Sequence, residues 1–253
     1  MIEKISITID CLSDEERYLT VYVPDFIRKD ERLPVIYMMD GQNVFYDKDA
    51  TYGKSWGMFD YLIKHNTRLI VVGIDSSRNP DNTRLCEYSP YSYKDFKFGK
   101  ITGRGKTYIN WIVEELKPFI DENYPTLADR EHTMIAGSSM GGLISYYACL
   151  ARNDVFGKAA CLSPSLWVDN MKLVSLAKKT KCNPNTTIYL DYGSRETKGK
   201  FGKMAYDSFW NCVDVLRRKE IHLYVHAIQF GEHNEASWER QLPVFLPLLL
   251  KED

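Results

Sequence analysis

The chain has 253 residues, a formal net charge of −1 and 44% hydrophobic residues, with acidic and basic side chains interspersed. This is the composition of a globular protein with a sizeable core, and the balanced charge argues against nucleic-acid or anionic-membrane binding. The length suits one larger α/β domain, so we expect a single domain over residues 1–253, with neither nucleic acid nor membrane as a partner.

Targeting signals and cysteine usage point to a reducing compartment. The first residues lack the basic head, apolar centre and cleavage site of a signal peptide, and no uninterrupted apolar segment approaches membrane-spanning length. The six cysteines are scattered, without a Cys-x-x-Cys pair or a histidine at ligand spacing. We therefore expect a cytoplasmic protein with free thiols, no metal and no cofactor.

The first part of the chain predicts a hairpin followed by a buried strand. Ile5–Asp10 and Arg17–Val23 alternate apolar and polar residues, as the two strands of an antiparallel hairpin do. Val35–Met39 is a near-continuous apolar run of the central-strand type, and it ends in Asp40-Gly41-Gln42-Asn43. A helix over Trp56–Lys64 and another buried strand over Leu69–Ile74 are expected next.

Residues 76–106 differ from the rest of the chain. They are rich in glycine, tyrosine and proline, the prolines being Pro80 and Pro90, and they show little hydrophobic periodicity. A structureless stretch of about 30 residues is uncommon inside a compact domain and is often functional. We predict a functional loop here that shapes the substrate pocket.

Downstream of this stretch, helical and strand patterns alternate. The predicted helices are Thr107–Asn123, Leu143–Arg152, Met171–Lys179, Ala205–Arg218 and Ala236–Leu250. The predicted strands are Met134–Ala136, Ala159–Leu162, Thr187–Leu190 and His222–Phe230. This alternation predicts an α/β fold with a mostly parallel central sheet, helices on both faces and the N-terminal hairpin as an antiparallel edge. In such sheets the working residues follow the carboxyl ends of the strands.

The motif Gly137-Ser138-Ser139-Met140-Gly141 lies between a predicted strand and a predicted helix. Strand, sharp turn and helix form the context of a nucleophile elbow with the pattern Gly-x-Ser-x-Gly. The flanking positions crowd each other in that turn, so both require glycine. This condition holds around Ser139 but fails around Ser138, and we therefore identify Ser139 as the candidate nucleophile.

A serine nucleophile needs a base, and the base needs an orienting acid. The elbow fold places them in the chain order Ser, acid, His. Of the five histidines, only His233 follows a strand, comes after Ser139 and lies in a loop. Two acids follow the strand Thr187–Leu190: Asp191 at its end and Glu196 in the loop beyond. We prefer Glu196, whose position in a loop lets it reach a later histidine, and keep Asp191 as the alternative.

The tetrahedral intermediate also needs two N–H donors for its oxyanion. The residue after the nucleophile, Met140, is expected to supply one of them at the start of its helix. The second should come from the loop after Val35–Met39, where Gly41 allows close backbone approach. Gln42 is the preferred donor there, with Asn43 as the alternative.

With these residues in place, the chain resembles the putative-esterase family of α/β-hydrolases, which includes enterochelin and other siderophore esterases, esterase D, feruloyl esterases and mycolyltransferases. The matching segments are VIYMMDGQNVF, RLCEYSP, EELKPFIDENY, IAGSSMGG, LDYGSRE and GEHNEASW. The elbow and the His-x4-Trp element look most like the enterochelin-esterase branch. Esterase D carries a His-Gly-x-x-Cys loop where this chain has Asp40-Gly41-Gln42-Asn43, so the resemblance does not extend to its S-formylglutathione activity.

The resemblance implies an α/β-hydrolase fold and a serine carboxylic ester hydrolase that forms an acyl-enzyme, with Glu196 as the acid. Its substrate would be a small-molecule ester, such as a siderophore lactone or another aromatic or small acyl ester. An acyltransferase on the same fold and a non-catalytic binding module are the alternatives. Edge pairing through the first hairpin would give a homodimer, which we keep as a hypothesis.

Four residues are candidates for substrate binding. Arg78 and Arg84 are placed to meet an anionic or catecholate group. For Arg84 a structural ion pair with Glu87 is the competing interpretation, and we favour it. Trp56 and Tyr88 would line a cleft for an aromatic group, or else belong to the ordinary core.

Overall fold

The structure, a computed structural model, describes residues 1–25, 27–79, 83–95 and 97–251. Its strands are β1 Ile2–Ile9, β2 Ser13–Tyr22, β3 Val35–Met39, β4 Ile70–Ile74, β5 Tyr93–Asp95, β6 Gly99–Ile101, β7 Thr133–Ser138, β8 Lys158–Leu162, β9 Thr187–Gly193 and β10 His222–Ile228. Its α-helices are α1 Met58–Lys64, α2 Thr83–Tyr88, α3 Gly105–Trp111, α4 Lys117–Asn123, α5 Met140–Ala151, α6 Asn170–Lys179, α7 Gly199–Leu216, α8 Glu235–Glu239 and α9 Leu242–Leu250.

Eight of these strands form one sheet in the order β1-β2-β4-β3-β7-β8-β9-β10. The pairs β1–β2 and β2–β4 are antiparallel, and every other neighbouring pair is parallel. The predicted α/β-hydrolase fold is therefore confirmed, with a mostly parallel sheet and an antiparallel hairpin at its N-terminal edge. Parallel strands end at the same edge of a sheet, and this brings the loops after β3, β7, β8 and β9 together.

Both faces of the sheet are covered, as the alternation of strands and helices predicted. Within β3, Val35 and Tyr37 pack into the core on one face, together with residues of α3, α5, α6 and α7. Ile36 and Met38 pack on the opposite face, against α1 and α9. Because β3 is buried on both faces, its sequence is a continuous apolar run rather than an alternating one.

Residues 76–106 contain more regular structure than the sequence indicated. The six-residue helix α2 and the hairpin of β5 and β6 lie in this stretch, while residues 80–82 and 96, including the predicted loop residue Pro80, are outside the described part of the chain. Elements this short carry too few residues to show a hydrophobic period. In α2 the pattern is further masked because a charged residue, Glu87, faces the core.

Two other helix predictions need correction. The predicted final helix is two helices, α8 and α9, and Pro243 lies in the first turn of α9, where its missing N–H costs nothing. The predicted helix over residues 107–123 contains a π-helical turn at Ile112–Leu116, just before Pro118. None of the described helices has both the length and the apolar character needed to cross a bilayer.

Candidate active site

The turn between β7 and α5 has the strained geometry of a nucleophile elbow. Ser139 has φ 57° and ψ −119°, outside the regions that L-residues normally occupy. A methyl group on Gly137 would lie 2.6 Å from the carbonyl carbon of Gly141, so the two flanking positions do crowd each other. The elbow thus holds Ser139 at the start of α5 and at the carboxyl edge of the sheet.

Three loops bring Ser139, His233 and Glu196 into one hydrogen-bonded chain. Ser139 Oγ lies 2.8 Å from His233 Nε2, and His233 Nδ1 lies 3.0 Å from Glu196 Oε2. The side chain of Glu196 is 2% exposed, whereas that of His233 is 37% exposed. A shielded carboxylate therefore orients an imidazole whose other nitrogen meets the serine hydroxyl.

Further hydrogen bonds fix the Glu196 carboxylate. Its Oε1 accepts from the Ser163 hydroxyl at 2.6 Å and from the N–H of Gly193. The Ser163 oxygen in turn accepts from Trp238 Nε1 at 2.9 Å. The Trp238 ring also packs edge-on against the His233 ring, with centroids 5.2 Å apart. Trp238 therefore supports both the acid and the histidine.

The alternative acid, Asp191, takes no part in the hydrogen bonds that link Ser139, His233 and Glu196. Its carboxylate accepts from the N–H of Ser163 at 2.8 Å and from the Tyr189 hydroxyl at 3.2 Å. Burial raises the pKa of Asp191 to about 7. Among the hydrogen bonds of the described residues, none joins Asp191 to His233, so the geometry favours Glu196.

The turn after β3 lies beside the elbow and carries Gln42. Asp40 adopts a left-handed backbone (φ 56°) and opens the 3-10 turn Gly41–Asn43. Gly41 packs against the backbone of β4, since a methyl group there would lie 2.5 Å from the carbonyl carbon of Gly73. The close approach predicted at Gly41 is therefore to a neighbouring strand. The Gln42 side chain is fixed through Ser76, to which its Nε2 donates at 2.9 Å.

A pocket of about 810 Å³ opens above Ser139. Most of its lining side chains are polar or charged, and its aromatic members are Tyr52 and Trp238. The lining residues are Asp40, Gln42, Asn43, Asp49, Ala50, Thr51, Tyr52, Ser76, Ser77, Arg78, Arg84, Ser138, Ser139, His233, Asn234, Glu235 and Trp238. Among the described residues, no group of three or more His, Cys, Asp or Glu side chains is arranged to hold a metal ion.

The two predicted arginines both line the pocket but differ in their partners. Arg78 is 67% exposed and lies 3.8 Å from Asp75. Arg84 makes a bidentate ion pair with Asp40, with oxygens 2.6 Å from Nε and 2.7 Å from Nη2. Arg84 therefore forms a structural ion pair, as expected, but the prediction that Glu87 is its partner was wrong. Glu87 projects from the other side of α2 and pairs with Arg17 of β2 in the core.

Trp56 and Tyr88 belong to the core, which corrects their prediction as substrate contacts. Trp56 is 3% exposed and packs against Trp238 and Phe245. Tyr88 is fully buried, accepts a hydrogen bond from the N–H of Asp40 and stacks under Arg84. Neither ring is among the residues that line the pocket, so their contribution to the site is through the side chains that they support.

Sequence reasoning gave no site role to Ser163, Asp40 or Glu235. Ser163 and Asp40 each directly follow a strand, so the rule that working residues follow strands would have found both. Glu235 is a buried carboxyl at the start of α8 that accepts from Asn43 Nδ2 at 3.4 Å, and burial raises its pKa. Its contact joins the histidine loop to the turn that carries Gln42.

A family model described as "Putative esterase" matches residues 12–249. The chain belongs to this family. The resemblance seen in the sequence motifs is confirmed, and so is the enzyme class, carboxylic ester hydrolase.

Individual relatives and solved structures share less than a third of their residues with this chain. An uncharacterized protein, YbbA of Bacillus subtilis (strain 168), is 29% identical over 189 residues, covering 73% of this chain and 70% of the relative. The structure of a ferulic acid esterase superposes with a TM-score of 0.71 at 17% identity, covering 99% of this chain and 98% of the other. The structure of an enterobactin esterase from Shigella flexneri superposes with a TM-score of 0.70 at 18% identity, covering 98% of this chain and 60% of the other. At these identities the two structures show a shared fold.

Proposed function

We propose that this esterase is a serine hydrolase that uses Ser139 as nucleophile, His233 as general base and Glu196 as orienting acid. The observation that carries the proposal is the 2.8 Å contact between Ser139 Oγ and His233 Nε2 in a strained elbow. An elbow of this geometry presents the serine hydroxyl to a substrate with its base already in hydrogen-bonding distance. A binding module would gain nothing from that backbone strain.

The reaction would proceed in two halves. His233 Nε2 takes the Ser139 proton as Oγ attacks the ester carbonyl, and the carbonyl oxygen becomes an oxyanion. The N–H groups of Met140 and Gln42 are the proposed donors to this oxyanion. The intermediate collapses to an acyl-enzyme as His233 protonates the leaving alkoxide. Water, deprotonated by His233, then attacks the acyl-enzyme. The bond between the acyl carbon and Ser139 Oγ breaks, His233 returns the proton to Oγ, and the carboxylic acid is released.

The substrate proposed is a small-molecule ester of the siderophore-lactone, aromatic acyl or small acyl kind. The similarity to an enterobactin esterase supports a siderophore lactone, and the similarity to a ferulic acid esterase supports an aromatic acyl ester. The mostly polar lining of the pocket suits an ester that carries hydroxyl or amide groups. Arg78, the more exposed of the two arginines, is the proposed contact for an anionic substituent.

Hydrolysis of p-nitrophenyl acetate and butyrate tests the proposal, with Ser139→Ala as the matched variant. We expect steady turnover by the wild type and a loss of about 10⁵- to 10⁶-fold in kcat, effectively to background, in the variant. A fluorophosphonate should label the wild type and not Ser139→Ala. Equal inertness of both proteins to the esters and to the fluorophosphonate would contradict a serine hydrolase. A burst of nitrophenol without turnover would instead indicate an acyltransferase awaiting another acceptor.

A further inference from the structure

The ion pair between Asp40 and Arg84 lies where the two turns with the proposed oxyanion donors meet. Asp40 comes two residues before Gln42, at the opening of the Gly41–Asn43 turn. Its Oδ2 also lies against the first turn of α5, because a methyl group on Gly141 would be 3.2 Å from it. The Asp40 side chain is only 8% exposed, so water screens its charge poorly. A carboxylate thus lies next to the place where a second negative charge would develop.

An unpaired carboxylate at this position would oppose catalysis. Two negative charges several ångströms apart in a poorly screened site repel each other, and the repulsion would raise the energy of the oxyanion relative to the neutral substrate. Arg84 removes this conflict by binding both carboxylate oxygens of Asp40. Burial disfavours the charge on Arg84, but Asp40 more than offsets this and raises its pKa, so the guanidinium stays cationic.

The other groups around Asp40 cannot replace the guanidinium. From α2, the Tyr88 hydroxyl accepts a hydrogen bond from the N–H of Asp40, and from α3 the Tyr108 ring packs at a tilt against the Tyr88 ring. Glu235 of α8 is a second carboxyl that interacts electrostatically with Asp40, and it adds negative charge when ionised. Among the described residues, Arg84 is the cation that forms an ion pair with Asp40.

We propose that Arg84 is a positioning residue that cancels the charge of Asp40 beside the oxyanion-binding N–H groups. The inference rests on the proposed function, since it needs an oxyanion at this site. It differs from a substrate-binding role because Nε and Nη2 of Arg84 are already engaged by Asp40. A charge-balancing role should affect every ester alike, whereas a substrate contact should depend on the ester.

The test compares kcat/KM of Arg84→Gln, Arg84→Lys, Asp40→Asn and the double variant Asp40→Asn/Arg84→Gln on p-nitrophenyl acetate and butyrate. Asparagine tolerates the left-handed backbone at position 40, so this change removes charge without a conformational penalty. We expect Arg84→Gln to lose about 10- to 100-fold on both esters, and Arg84→Lys to stay within about fivefold of wild type. The double variant should recover at least half of the lost activity on a logarithmic scale, because neither charge remains.

Active sites are counted by fluorophosphonate titration, so that a partly unfolded variant is compared per folded site. Arg152→Gln is the matched control, because Arg152 also pairs bidentately with an aspartate, Asp154, but at the far end of α5. A double variant no more active than Arg84→Gln would overturn the inference in favour of a structural brace. A loss confined to one ester would overturn it in favour of substrate contact. Absence of Ser139-dependent turnover in the wild type would instead overturn the proposed function, and the inference with it.

Discussion

Asp191 lies within β9 and Glu196 in the loop after it, five positions further along the chain, yet their environments are opposite. Glu196 reaches across to His233 and accepts hydrogen bonds from Ser163 and Gly193. Asp191 points into the core and accepts from the Ser163 N–H and from Tyr189. The Glu196 carboxylate accepts hydrogen bonds on both oxygens, whereas burial drives the Asp191 carboxyl toward its neutral form, with a pKa of about 7.

Ser163 connects the two carboxyl groups. Its hydroxyl binds Glu196 and its N–H binds Asp191, so the end of β8 sets the position of both. Two acids of neighbouring sequence position therefore acquire different environments from the donors that the end of the adjacent strand presents to them.

The largest effect is expected from Glu196→Gln. Glutamine keeps the shape of the side chain, but it weakens the acceptor for His233 Nδ1–H and favours the wrong tautomer of the imidazole. We expect kcat on p-nitrophenyl acetate to fall by about 10³- to 10⁴-fold. Asp191→Asn, assayed beside it, should lose less than about tenfold. Similar losses in the two variants would contradict the assignment of Glu196 as the acid.

A smaller effect, on stability, is expected from Asp191→Asn. The pKa of Asp191 is raised to about 7 in the folded chain, against about 3.9 for an unperturbed aspartate, so folding takes up a proton between these pH values. The wild type should therefore lose stability as pH rises from about 4 to 7, by on the order of 3 kcal/mol from this group.

Asparagine does not titrate, so the Asp191→Asn variant should lack this part of the pH dependence. Urea unfolding at pH 5 and pH 8 measures it. The free energy of unfolding of the variant, minus that of the wild type, should be larger at pH 8 than at pH 5, because only the wild type carries a buried charge at pH 8. An unchanged difference between the two pH values would show that Asp191 is ionised in the folded protein throughout.

The smallest effect is expected from Ser163→Ala. The change removes one of the hydrogen bonds to Glu196 and leaves Trp238 Nε1 without its acceptor, while the Ser163 N–H to Asp191 remains. We expect a loss of about 1–3 kcal/mol in the free energy of unfolding and a fall in kcat of about tenfold or less. Thermal unfolding and ester hydrolysis check the two values. A fall in kcat as large as that of Glu196→Gln would mean that Ser163 and Glu196 act as one unit.

The fold class and the elbow could be predicted from the amino-acid sequence alone. Apolar runs of strand length, alternating with helical periods, leave a parallel sheet as the economical arrangement, and the Gly137 and Gly141 flanks single out Ser139 for a steric reason that the structure reproduces. These features are local, since they depend on residues close together in the chain. The order of Ser139, Glu196 and His233 along the chain was equally readable.

Contacts between distant side chains could not be predicted in this way. Arg84 and Glu87 are three residues apart on one short helix and were expected to pair. Their partners are Asp40, in the turn after β3, and Arg17, in β2, which lie 44 and 70 residues away along the chain. Trp56 and Tyr88 could not be assigned to pocket or core, because an aromatic side chain has the same composition signal in both. Contacts between distant segments depend on how the sheet and its helices pack together, and no local pattern records that packing.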